Sequence, residues 1–185
     1  MSKIFIFRHG QTIDNKEKVF SGWRNVDLTP EGIQEAINIA EKLKSEKPTK
    51  AYESDLIRSK HTLDIVLSFH PYTPIIADTR IKERNYGSLT GTNKTTLQEK
   101  DPSDFQKWHR SYDVPPPGGE SIQEVEKRVL DFLTDMKKSL QLHDIIFISA
   151  HGNSIRPMRK YFEHLTNEQM CSYEYQPAII FSYTI

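Results

Sequence analysis

The sequence predicts an α/β fold, a three-layer α/β/α sandwich around a mostly parallel central sheet. Three observations point to it. Lys3–Phe7 and Asp144–Ala150 are continuous apolar runs of the kind that form strands buried on both faces, with segments of helical apolar spacing between them. Both runs break into polar loops that begin with a histidine motif, Arg8-His9-Gly10 and His151-Gly152-Asn153. Strands alternating with helices imply parallel pairing, and ligands in such sheets bind beyond the carboxyl ends of the strands.

The elements follow in order. After the first strand, Thr29-Pro30-Glu31 supplies a cap, a first-turn proline and an acid facing the helix dipole, ahead of a stripe at Ile33, Ala36, Ile37, Ala40 and Leu43. A short strand around Tyr52 ends in Glu53-Ser54-Asp55, whose oxygens are expected to cap a helix carrying Leu56, Leu63, Val66 and Leu67, with Arg58 in its first turn. Pro74–Ala77 reads as a short strand. Residues 85–119 read as a lid-like insert, polar and bounded by prolines from Asp101 to Pro117. Ser121 and Glu124 have capping-box spacing, followed by Ile122, Val125, Val129, Leu133, Met136 and Leu140 on one stripe. A further helix runs through Met158, Tyr161 and Leu165 after His151, and Ile179–Ile185 closes the chain as an edge strand.

The chain has 185 residues, 36% hydrophobic and 27% charged, which fits one soluble globular domain spanning 1–185. Lys plus Arg and Asp plus Glu both number 25, so no global field draws it to nucleic acid or to a membrane. The opening MSKIFIFRHG is too short for a signal-peptide core or a spanning helix, and a cytoplasmic protein is expected. The single cysteine, Cys171, allows no intrachain disulfide and no multi-cysteine metal site. The sequence leaves oligomeric state open, a homodimer included.

Arg8, His9, Arg58, Glu83 and His151 all fall at strand ends, in loops or in a first helical turn. A phosphoryl group requires cationic donors around its oxygens, which Arg8, Arg58 and a protonated His151 can supply. A neutral imidazole at His9 offers a nucleophilic lone pair, and Glu83 a proton for the departing oxygen. Gly10 and Gly152 let the backbone approach an anion. On the residues alone two alternatives stand beside this: the same side chains only solvating the sheet edge, or a metal held by His9 and His151 with Asp55 or Glu83.

The strings RHGQTIDN (Arg8–Asn15) and HGNSIR (from His151) resemble the two histidine motifs of the histidine phosphatase superfamily. SGWRNVDLTPEG (Ser21–Gly32), SDLIRSKHTL (Ser54–Leu63) and ERNYGSLTGTNK (Glu83–Lys94) are similar to its cofactor-dependent phosphoglycerate mutases in particular. The resemblance implies that His9 is phosphorylated, that Arg8, Arg58 and His151 bind the phosphoryl group and that Glu83 is the proton donor. It further implies substrate-binding roles for Asn15, Ser21, Gly22, Gly152 and Asn153. Tyr86, Lys94 and WHRSYDVPPP (Trp108–Pro117) resemble the mutase lid that grips the substrate carboxylate and far phosphate, with His109 and Arg110 as its contacts.

Carried over whole, the resemblance implies interconversion of 3-phosphoglycerate and 2-phosphoglycerate with 2,3-bisphosphoglycerate as primer, a small phosphorylated substrate and no metal. Two departures favour an alternative, a phosphohistidine-dependent phosphomonoester phosphatase. His109 replaces an arginine of the mutase pattern, and the chain stops at Ile185 without the usual tail, so a more open pocket is expected. A binding protein on a retired enzyme fold is disfavoured because His9 and Glu83 are both retained.

Overall fold

In the computed structural model, which describes residues 1–185, β1 (Lys3–Arg8) and β4 (Ile145–Ala150) lie side by side and parallel, Arg8 paired with Ala150. β2 (Lys50–Glu53) extends the sheet beyond β4 and β3 (Ile75–Ala77) extends it further, both parallel, while β5 (Ile180–Thr184) runs antiparallel along the other side of β1. The order is therefore β3-β2-β4-β1-β5. The expected edge strand at the end of the chain is present.

Alternation along the strands divides the core into two layers. Ile4, Ile6, Ile146 and Ile148 face α6 (Ile122–Lys138) and α7 (Gly152–Glu163), meeting Val125, Val129, Phe132, Leu133, Ile155 and Met158. Phe5, Phe7 and Phe147 face the other way, onto α2 (Pro30–Leu43) and α3 (Ile57–Val66), where they meet Ile39, Leu43, Leu63 and Val66. Fully burying one such side chain contributes roughly 1.5–3 kcal/mol. Two helical layers enclosing a sheet make the expected α/β/α sandwich.

Several local readings differ. In α2 the buried stripe uses Ile39 where Ile37 was expected, and Ile37 is exposed. The Ser54 hydroxyl accepts from the Leu56 N–H at 3.3 Å, but the cap residue of α3 is Leu56, with no side-chain cap bond of its own. Three short helices escaped the periodicity reading: α1 (Ile13–Lys16), α4 (Lys94–Lys100) and α8 (Asn167–Ser172). A fourth, α5 (Pro102–Arg110), forms inside the insert because Asp101 caps it and Pro102 starts it.

The insert has its own small core. Phe20, Tyr86 and Leu89 pack with Leu97, Phe105 and Trp108. Arg84, buried to 0% exposure, ties it down by donating to the carbonyls of Glu120 at 2.6 Å, Trp108 at 2.9 Å and Val114 at 3.4 Å.

Candidate active site

The pairing of β1 with β4 brings the two histidine motifs together. His9 and His151 each follow the last residue of their strand, the His9 N–H donates to the Ala150 carbonyl at 3.0 Å, and the ring centres are 5.0 Å apart. Nδ1 of His9 lies 2.8 Å from the Gly10 carbonyl oxygen. A carbonyl only accepts, so Nδ1 carries the hydrogen and Nε2 keeps its lone pair. Arg58 Nε donates to that Nε2 at 3.3 Å. The Arg58 guanidinium is fixed by the carbonyls of Arg24 and Gly22, both at 2.8 Å.

Ser54 was expected only as a helix cap, but its hydroxyl also lies 2.7 Å from His151 Nε2. One of the two groups donates to the other, while His151 Nδ1 is buried without a partner. Burial, then Arg58, hold both imidazoles well below their ordinary value of 6.5. This corrects the expectation of a protonated His151: near neutral pH it offers an N–H donor and no charge. The fixed charge is arginine. Burial lowers Arg58 to about 10, which leaves it cationic at pH 7. Arg8 donates to no protein group, and its Nε is buried and unpartnered.

Glu83 comes from the segment before the insert. Its Oε1 accepts from the Arg84 N–H at 2.7 Å, the Asn153 N–H at 3.3 Å and Asn153 Nδ2 at 2.9 Å. Oε2 makes no such bond and lies beside Gly152. Trp23 Nε1 and Arg128 Nη2 hold the Glu83 carbonyl at 2.7 and 3.0 Å. Trp23 therefore braces the acid from behind. Asp55, the alternative metal-binding acid, pairs with Lys82 at 2.8 Å.

Two adjoining clefts share Arg8, Asn15 and Tyr175. One opens onto His9. The other is lined by the expected Ser21, Gly22, Glu83 and Tyr86, and by Lys94, Arg110, Gly152 and Asn153. Asn15 Oδ1 accepts from the Thr12 N–H and hydroxyl, which leaves its amide N–H groups for the cleft. Ser21 donates to Asp14 at 2.8 Å, and Gly22 takes a positive φ of 51°. Asn153 Nδ2 also donates to the Tyr86 hydroxyl at 2.9 Å.

His109 is the exception among the expected residues. It lies off both clefts, its ring 4.7 Å from Phe105 and 5.8 Å from Phe20, and burial followed by Arg110 and Lys94 pushes its pKa down to about 3. Gly10 also meets a constraint that the sequence reading did not include. A Cβ there would fall 2.1 Å from the Gly32 carbonyl oxygen, so Gly10 is required by the close approach of its loop to α2. Sequence reasoning missed Arg156, Glu174 and Tyr175, all on the cleft wall. Arg156 closes the HGNSIR motif, and that was its only signal.

A profile described as the histidine phosphatase superfamily (branch 1) matches residues 4–184. A 2,3-bisphosphoglycerate-dependent phosphoglycerate mutase of Nitrobacter winogradskyi is 38% identical over 177 residues, covering 92% of this chain and 86% of that protein. Among solved structures, a mycobacterial glucosyl-3-phosphoglycerate phosphatase superposes with a TM-score of 0.88 at 22% identity, covering 98% of this chain and 92% of the other. The α-ribazole phosphatase of Shigella flexneri gives 0.86 at 23% identity, covering 99% and 90%. At that identity the two structures speak for the fold.

Proposed function

This chain belongs to branch 1 of the histidine phosphatase superfamily, and from that premise we propose that it is a phosphoglycerate mutase, interconverting 3-phosphoglycerate and 2-phosphoglycerate through phosphorylated His9. The observation that carries the reading is the lone pair on His9 Nε2, fixed by the Gly10 carbonyl and faced by Arg58. The unpartnered nitrogens of Arg8 and His151 fit the equatorial oxygens of a transferring phosphoryl group, whose spread charge calls for position and electrostatics. Glu83 Oε2 is free to give a proton to the departing oxygen and to take one from the incoming hydroxyl.

The mutase relatives support 2,3-bisphosphoglycerate as primer. The cleft residues fit such a polyanion, because Arg8 and Arg156 have buried unpartnered nitrogens and Lys94 adds charge beside them. When bound, the primer supplies the phosphoryl group that loads His9. No metal enters this reading, because the arginines do with fixed charge what Mg²⁺ does elsewhere.

A second reading, hydrolysis of phosphomonoesters, is favoured by one observation: Arg110 is held by Glu174 at 2.5 Å while His109 is turned away, which withholds two grips of the lid on the substrate. The test is an assay with 3-phosphoglycerate that follows 2-phosphoglycerate and free phosphate together, with and without catalytic 2,3-bisphosphoglycerate. Primer-dependent 2-phosphoglycerate supports the mutase. Phosphate as the dominant product supports hydrolysis.

A further inference from the structure

Five buried polar atoms have no hydrogen-bond partner: Arg8 Nε, His151 Nδ1, Asn153 Oδ1, Arg156 Nε and the Tyr175 hydroxyl. Phosphoryl transfer at His9 uses the first two, and Asn153 lies beside Glu83. Arg156 and Tyr175 have no part in that step.

Arg156 is only 3% exposed, yet its head is held in one orientation. Nη1 donates to the carbonyls of Met170 at 2.7 Å and Cys171 at 3.0 Å. The opposite edge, Nε with Nη2, has no protein acceptor, and the residue lines the cleft with Arg8 and Glu83. That edge is a two-pronged donor matching a carboxylate, and a buried guanidinium charge is costly unless an anion meets it. The guanidinium carbon lies 5.3 Å from the centre of the Tyr175 ring, so the arginine and the tyrosine ring belong to one wall. Tyr175 also borders both clefts, and its ring carbons and Glu83 Oε2 each lie 3.8 Å from where a Cβ on Gly152 would stand. Meanwhile Arg110 is paired with Glu174, and His109 packs against Phe20 and Phe105.

We infer that Arg156 and Tyr175 form the seat for a second anionic group of the substrate, a carboxylate carried on the same small molecule as the phosphate. The inference rests on the phosphoryl-transfer reading and adds to it what distinguishes one phosphate ester from another. In this arrangement the second anion is read from α7 and the segment before β5, and the insert closes the other side.

The test is equilibrium binding by calorimetry of 3-phosphoglycerate and of sn-glycerol 3-phosphate, which lacks the carboxylate, to the wild type, Arg156→Gln, Arg156→Lys and Tyr175→Phe. Arg156→Lys keeps a donor for the Met170 and Cys171 carbonyls in case the glutamine variant does not fold. The preference for 3-phosphoglycerate should fall about tenfold in the folded arginine variants and about threefold in Tyr175→Phe, as expected for a charged and a neutral hydrogen bond. A preference unchanged within about twofold in Tyr175→Phe and in every folded Arg156 variant overturns the inference, because a structural role moves both ligands alike. Turnover of p-nitrophenyl phosphate by the wild type tests the phosphoryl-transfer reading separately: its absence would count against that reading and leave the binding comparison intact.

Discussion

Arg58 Nε donates to His9 Nε2 at 3.3 Å while its two other nitrogens are held by the carbonyls of Arg24 and Gly22. His9 and Arg58 thus share one fixed geometry, with the charge aimed where the proposed reaction would attach a phosphoryl group. Arg58→Lys cannot hold both carbonyls and face Nε2 as well. We expect kcat to fall by about 10²–10³-fold, the usual cost of removing a preorganised electrostatic partner, with a smaller change in KM. Steady-state kinetics with 3-phosphoglycerate checks this, and a change confined to KM would place Arg58 in binding alone.

Glu83→Gln keeps an oxygen to accept from Arg84 and from the Asn153 backbone and amide, so the segment should stay in place. It removes the ionisable Oε2. Proton transfer by a positioned carboxyl contributes about 10²–10⁴-fold, and it matters most when the leaving oxygen is basic. Turnover of phosphoglycerate should therefore drop far more than hydrolysis of p-nitrophenyl phosphate. Equal losses on the two substrates would rule Glu83 out as the acid.

His9, His109 and His151 all have folded-state pKa values below 6.5, His109 down to about 3, with burial as the first cause in each. Below 6.5 the unfolded chain therefore binds more protons than the folded one, and stability falls as pH falls. Thermal unfolding followed from about pH 7.5 to about pH 5 should show Tm declining on the acid side. His109→Phe, which preserves a ring between Phe20 and Phe105, should flatten the decline. An identical slope in that variant would show that His109 does not contribute.

A methyl group on Gly10 would meet the Gly32 carbonyl oxygen at 2.1 Å. Gly10→Ala must push its loop away from α2, at a cost of roughly 3 kcal/mol. Because His9 Nδ1 is anchored on the Gly10 carbonyl, activity should fall with stability. Denaturant titration alongside kcat tests the coupling, and Gly152→Ala serves as a comparison: its nearest neighbours are at 3.8 Å, so the backbone need not move.

Replacing Arg84 by Met leaves the carbonyls of Glu120, Trp108 and Val114 without their shared donor. We expect a loss of about 3 kcal/mol in global stability. Faster amide exchange should be concentrated in residues 101–117, and uniform exchange along the chain would contradict the anchoring role.

The strands, the long helices and their order were legible in the sequence because they rest on local chemistry. The capping box of Ser121 with Glu124 and the stripe from Ile122 to Met136 concern residues a few positions apart, and both appear in α6. His9, Arg58, Glu83 and His151 were identifiable as candidates because strand-end loops put their side chains beside a cleft and their motifs resemble a known family. The short helices α4 and α5 were not legible, since Leu97, Phe105 and Trp108 find their apolar partners only on Phe20, Tyr86 and Leu89.

Tertiary structure alone decided what each candidate side chain meets, because hydrogen-bond partners are chosen across the fold. Ser54 meets His151 across 97 positions and holds its Nε2 by a hydrogen bond. Burial by the surrounding core decides that the two active-site imidazoles are neutral, a property that no spacing of residues records. The same holds for His109 and Arg156. From the sequence His109 belongs to the substrate lid and Arg156 is the end of a helix-start motif, whereas packing places His109 among aromatic rings and leaves the free edge of Arg156 in the cleft. The sequence by itself determined the layers, the order of elements and the set of reactive groups; the long-range pairing of β1 with β4, and the packing around it, determined protonation, orientation and which cations remain free to hold an anion.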